Sequence, residues 1–79
     1  MDKMDIIERL NEVFQDVFDD EDIVVDEETT ADDIEDWDSI EHINLISAVE
    51  SEFGIRFTMG EVSGMKNVGE MIHIIETRV

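Results

Sequence analysis

Ser39 has the strongest chemical setting of any hydroxyl in the chain, because it follows Asp38 and opens an apolar-periodic run at what reads as a helix start. Asp38 can cap the amides there, and Glu41 stands three residues on, where a capping box has its carboxylate. Ser39 then falls at the first helical position, outside the helix body. A phosphoester on it would face free amides and the positive end of the helix dipole. A serine beside a cap more often does no more than help start a helix, so the rest of the chain must decide. A nucleophilic chemistry is the other option, since His42 lies three residues after Ser39. The flanking glycines of Gly-x-Ser-x-Gly are missing, and no third orienting group is readable, so His42 is read as structural or partner-contacting. His73 is not at metal-ligand spacing from it and is given no role.

Apolar spacing supplies the elements that must position Ser39. Ile6, Ile7, Leu10, Val13, Phe14 and Val17 recur on one face of a first helix. A second runs from about Ser39 to Phe53, with Leu45, Ile46, Val49 and Phe53 inward, Glu41, Asn44, Ser47, Glu50 and Ser51 outward, and Gly54 as its stop. A last helix starts at Asn67, with Glu70 as capping-box partner and Val68, Met71, Ile72, Ile75 and Val79 on one side. Met59 to Met65 reads as short or irregular and mobile, because Gly60 and Gly64 weaken a helix interior. Residues 19–38 are long for a connection, yet Ile23, Val25 and Ile34 can pin them across the bundle. The expected architecture is all-α: three main helices plus one short helix, a long loop between the first two, and a single domain over residues 1–79.

The chain has 79 residues, a formal net charge of -18, and no Cys or Pro. That length supports one modest core and no enclosed catalytic pocket. Residues 19–38 contain 12 Asp or Glu and no Lys or Arg. Such a field repels nucleic acid and anionic membranes and steers basic protein surfaces toward the chain. The first glycine is Gly54, so the acidic stretch lacks the sharp-turn glycine of a calcium-binding EF-hand. No specific metal site is expected; weak, nonspecific divalent binding is. No apolar run approaches the ~20 residues of a membrane span, and Met1-Asp2-Lys3-Met4-Asp5 lacks the order of a signal peptide. A cytoplasmic monomer is the expectation.

With these residues in view, the chain resembles the acyl carrier proteins from Ile6 to Ile75. Asp38-Ser39-Ile40 is similar to the family's Asp-Ser-Leu, and Glu50-Ser51-Glu52-Phe53-Gly54-Ile55 looks like the end of its second helix. The resemblance implies a non-catalytic carrier, with 4'-phosphopantetheine joined to Ser39 through a phosphodiester and Asp38 as motif and cap residue. The cofactor's thiol would hold an acyl group as a thioester. The implied partners are a phosphopantetheinyl transferase and acyl-loading and acyl-processing enzymes with basic docking patches. Ile40, Glu41, Ile43, Asn44, Ser47 and Glu50 are the positions expected to meet them, and Trp37 is read as a packing residue. An interior lined by residues such as Phe14, Leu45, Ile46, Val49, Ile72 and Ile75 is where an acyl chain would enter. Ile40 replaces the usual Leu. Asn44 and Ser47 stand where general fatty acid carriers commonly have an acidic and a bulky apolar residue, and Trp37 is similar to carriers of polyketide or other specialised pathways. A specialised discrete carrier is therefore the leading reading. Three alternatives stay open: a carrier of an aminoacyl group such as D-alanine, an unmodified acidic interaction module, and a small hydrolase using Ser39 and His42.

Overall fold

Apolar residues at three- and four-residue spacing wind Lys3–Val17 into α1, Ser39–Phe53 into α2 and Val68–Arg78 into α4. The structure, a computed structural model, describes residues 1–79 and contains no strand. Fourteen buried apolar side chains make one core. α1 contributes Ile6, Leu10, Val13 and Phe14; α2 contributes Leu45, Ile46 and Val49; α4 contributes Val68, Met71, Ile72 and Ile75. Each such burial is worth about 1.5–3 kcal/mol. Two core residues escaped the periodicity because they lie just past helix ends: Phe18 after α1 and Ile55 after α2. Val79, expected on the buried side of α4, is exposed, because the helix ends at Arg78.

Loop residues 18–38 are laid down by side-chain hydrogen bonds. The Asn11 amide pairs with both backbone groups of Val25, accepting from its N–H at 2.7 Å and donating to its carbonyl at 3.2 Å. Gln15 donates to the Ile23 carbonyl at 2.9 Å. Val25 is thereby buried, with Ile23 and Ile34 packed partly against the core, as expected of the three anchors. Further along, the carbonyls of Thr29 and Glu27 accept the Val68 and Gly69 amides, both at 2.9 Å, so the loop satisfies the first amides of α4. Gly69 permits this approach: a Cβ there would lie 2.7 Å from the Glu27 carbonyl oxygen. Asn67 caps α4 by accepting from Glu70 N–H at 2.9 Å. The reciprocal bond expected of Glu70 goes one residue further back, to the Lys66 amide, because the Lys66 N–H is the donor within its reach.

Much of the loop's acidity is turn chemistry. Asp20 accepts from Asp22 N–H, Asp26 from Glu28 N–H, and Asp33 closes a capping box with Thr30 around a single 3-10 turn at Ala31–Asp33. No group of three or more such side chains is arranged to hold a metal ion.

Met59–Gly64 forms a regular short helix, α3, the fourth helix of the expected architecture and the regular one of the two forms, short or irregular, that the sequence allowed. The cause is a capping box that outweighs the glycine cost: Thr58 accepts from Glu61 N–H and Glu61 accepts from Thr58 N–H. Glu61 also takes a two-pronged pair from Arg78, at 2.8 and 2.6 Å, which ties α3 to α4. Gly54 ends α2 in the left-handed region, at φ 65°, as expected of a helix stop. No helix is long and apolar enough to cross a membrane.

Candidate functional site

An aromatic cluster fixes the residue two before Ser39. The half-buried Trp37 ring meets Phe14 edge-on at 5.3 Å and Phe18 at 6.3 Å, so α1 holds the end of the loop in place. Trp37 is thus a packing residue, as read. The next residue, Asp38, caps α2 by accepting from Glu41 N–H at 2.8 Å, and its carbonyl takes the His42 amide at 2.9 Å. Glu41 does not return a bond to Asp38, so the box is half formed. Its carboxylate accepts instead from the Asn44 side chain at 3.3 Å, because the Asp38 amide is already turned to the Asp36 carbonyl.

Ser39 is the first residue of α2 and is exposed. Of the four amides at this helix start, those of Ser39 and Ile40 have no acceptor in the protein. These features fit a phosphodiester on the Ser39 hydroxyl, which would find two free donors and the positive end of a fifteen-residue helix. A cleft of about 470 Å³ runs from Ser39 between α2 and the segment after α3, bordered by Ile43, Val62, Met65 and Lys66. A larger cleft of about 650 Å³ lies near Lys3, Glu27 and Glu61, but its border does not reach Ser39.

Both ring nitrogens of His42 are engaged away from the serine. Nδ1 accepts from the Trp37 indole N–H at 3.0 Å, and Nε2 lies 3.1 Å from the Val62 carbonyl. Neither is available as a base for Ser39, which removes the hydrolase reading.

The expected partner-contact positions divide. Ile40 and Ile43 are 73% and 61% exposed, and Asn44 and Ser47 are exposed beside them. Glu41 is half-buried against Asn44. Glu50 departs from the expectation of an outward position: it is half-buried and accepts from Phe57 N–H at 2.8 Å, fastening the α2–α3 connection. An unpaired Phe57 amide at the turn is the local demand that draws it in. Met59, 86% exposed, was not singled out from sequence and adds an apolar tip on α3; the helical register set by Thr58 and Glu61 was the signal that could have placed it.

Three comparisons bear on this arrangement. A family model described as phosphopantetheine attachment site matches residues 8–75. The solution NMR structure of a holo acyl carrier protein from Geobacter metallireducens superposes with a TM-score of 0.85 at 40% identity, covering 91% of this chain and 83% of that one. No curated protein matches.

Proposed function

The chain belongs to the acyl carrier protein family, whose members are non-catalytic carriers with a covalently attached 4'-phosphopantetheine, and we propose that Ser39 is its attachment residue here. The observation that carries the assignment is an exposed hydroxyl at the first position of α2, beside two unpaired amides, with Asp38 holding the helix start. The attached thiol holds acyl groups as thioesters. Carriers of this family are modified by phosphopantetheinyl transferase and meet acyl-processing enzymes. We assign the carrier unit to residues 1–79 as one domain.

Asp38 orients Ser39 without touching its hydroxyl, because its carboxylate is spent on the Glu41 amide. Trp37, seated on Phe14, keeps this start of α2 from drifting away from α1. Ile40 and Ile43 offer apolar contact, while the loop carboxylates steer basic partner surfaces. That division supports a specialised discrete carrier, since the exposed positions 44 and 47 of α2 hold Asn and Ser, neither of them acidic or bulky and apolar.

Intact mass after incubation with coenzyme A and a broad-specificity phosphopantetheinyl transferase tests the attachment. The wild type gains one phosphopantetheine and Ser39→Ala gains none. Loading of the alanine variant, or no loading of folded wild type beside a working control carrier, overturns it.

A further inference from the structure

We propose that Lys66 is a positioning residue for the arm on Ser39: its ammonium receives the phosphodiester and holds the root of the arm toward the segment between α3 and α4, away from the acidic loop. This role rests on the carrier reading, and it gives the cofactor's charge a partner outside Asp38-Ser39-Ile40.

The ion pairs of the chain single Lys66 out. Five Lys or Arg stand among 23 Asp and Glu. Lys3, Arg9 and Arg78 are each paired with a carboxylate, on Glu27, Glu52 and Glu61. Lys66 and Arg56 have no such pair, and of these two only Lys66 borders the Ser39 cleft. The other charged residue on that cleft is Asp38, whose carboxylate is bonded to the Glu41 amide. The clefts that do not reach Ser39 are lined the opposite way. Five carboxylates border the one near Lys3, and five border another along the loop, where no Lys or Arg stands. With more than four acidic groups for each basic one, a free cation beside the attachment serine is the exception in this molecule.

The base of Lys66 is fixed and its tip is free. Its amide donates to Glu70 at 2.7 Å, and the next residue, Asn67, caps α4. Glu70 lies beyond ion-pair distance of the ammonium and borders the cleft near Lys3 instead. The exposed side chain is a flexible four-carbon stem with three donors, which adapts to an anion in the cleft. On the Ser39 side, the Ser39 and Ile40 amides are unpaired. The helix start can thus serve one charged oxygen of the phosphodiester and Lys66 the other, and the ammonium adds a full positive charge that amides lack. Loading brings one more negative charge to a chain at -18, so a cation at this point offsets repulsion from the loop carboxylates. Held in this way, the arm would leave along the cleft past Ile43 and Val62.

The test compares loaded wild type with loaded Lys66→Gln, Lys66→Arg and Arg56→Gln, at neutral pH in low salt, each checked by intact mass. The readouts are the 31P resonance of the phosphodiester, the heteronuclear NOE of the nearest amide in a 15N-labelled arm, and the 13Cε resonances of the two lysines before and after loading. In wild type, loading should shift Lys66 13Cε and leave Lys3 unmoved. Lys66→Gln should move the 31P resonance and lower the NOE by at least half; Lys66→Arg should keep both at wild-type values, and Arg56→Gln should change neither. The difference between wild type and Lys66→Gln should shrink in about 1 M salt, where the screening length is about 3 Å. The role is overturned if Lys66→Gln leaves the 31P resonance and the NOE unchanged, if Arg56→Gln alters them as much, or if salt does not reduce the difference. An unmoved Lys66 13Cε on loading overturns it without any variant. Wild type that fails to load overturns the carrier reading and this role together, whereas loaded wild type indifferent to Lys66→Gln overturns this role alone.

Discussion

Glu61 sits in a strongly acidic chain yet keeps its charge far into acid. The Arg78 guanidinium, and then the Thr58 amide, hold its carboxyl down to about 2. The folded value lies below the unfolded one, so the stability it contributes is complete above the ordinary value of 4.5 and is lost as pH falls from there through about 2. Carboxyl 13C resonances should therefore show Glu61 titrating well below the ordinary value, and Arg78→Ala should return it toward the ordinary range; an unmoved Glu61 in that variant would refute the cause given. At Gly69, an added methyl must displace a backbone carbonyl. Gly69→Ala should cost about 1–3 kcal/mol in urea unfolding, and an unchanged midpoint would mean that the loop yields freely. Residues such as Ser39 and Asp38 were readable in the sequence because a cap is a local event, settled within four positions. The partners of Glu50, His42 and Glu61, namely Phe57, Val62 and Arg78, are set by how helices pack, and no local rule names them.

Periodicity located α1, α2 and α4 because each buries one stripe, and cap signals placed the starts of α2 and α4. For α3 it gave no more than a short or irregular helix, because two glycines mask the stretch that Thr58 and Glu61 nucleate. Thr58→Ala should weaken α3 by about 1 kcal/mol, seen as faster amide exchange confined to Met59–Gly64; exchange spread evenly over the chain would contradict a local cap. The acidic stretch was read as charge, whereas Asp20, Asp26 and Asp33 also build turns, a role composition does not reveal. Just past α1, Asp19 adopts φ 50°, a conformation glycine takes without steric cost. Asp19→Gly should exceed Asp19→Asn in melting temperature; both remove the charge, so the comparison isolates the backbone, and equal values would show no strain.

The formal net charge of -18 acts on the molecule as a whole. Added salt or Mg2+ should raise the melting temperature by several degrees, since screening relieves repulsion among carboxylates concentrated in the first two thirds of the chain. A flat response would mean that the repulsion is already relieved in the fold. The two carbonyls of the long loop that receive the first amides of α4 carry a further consequence, for the order of folding. They join residues about 40 positions apart, so the start of α4 cannot be completed until Asn11 and Gln15 have drawn the loop onto α1. The last helix should be a late arrival, and a lesion in the loop should slow its docking even where α4 itself is untouched.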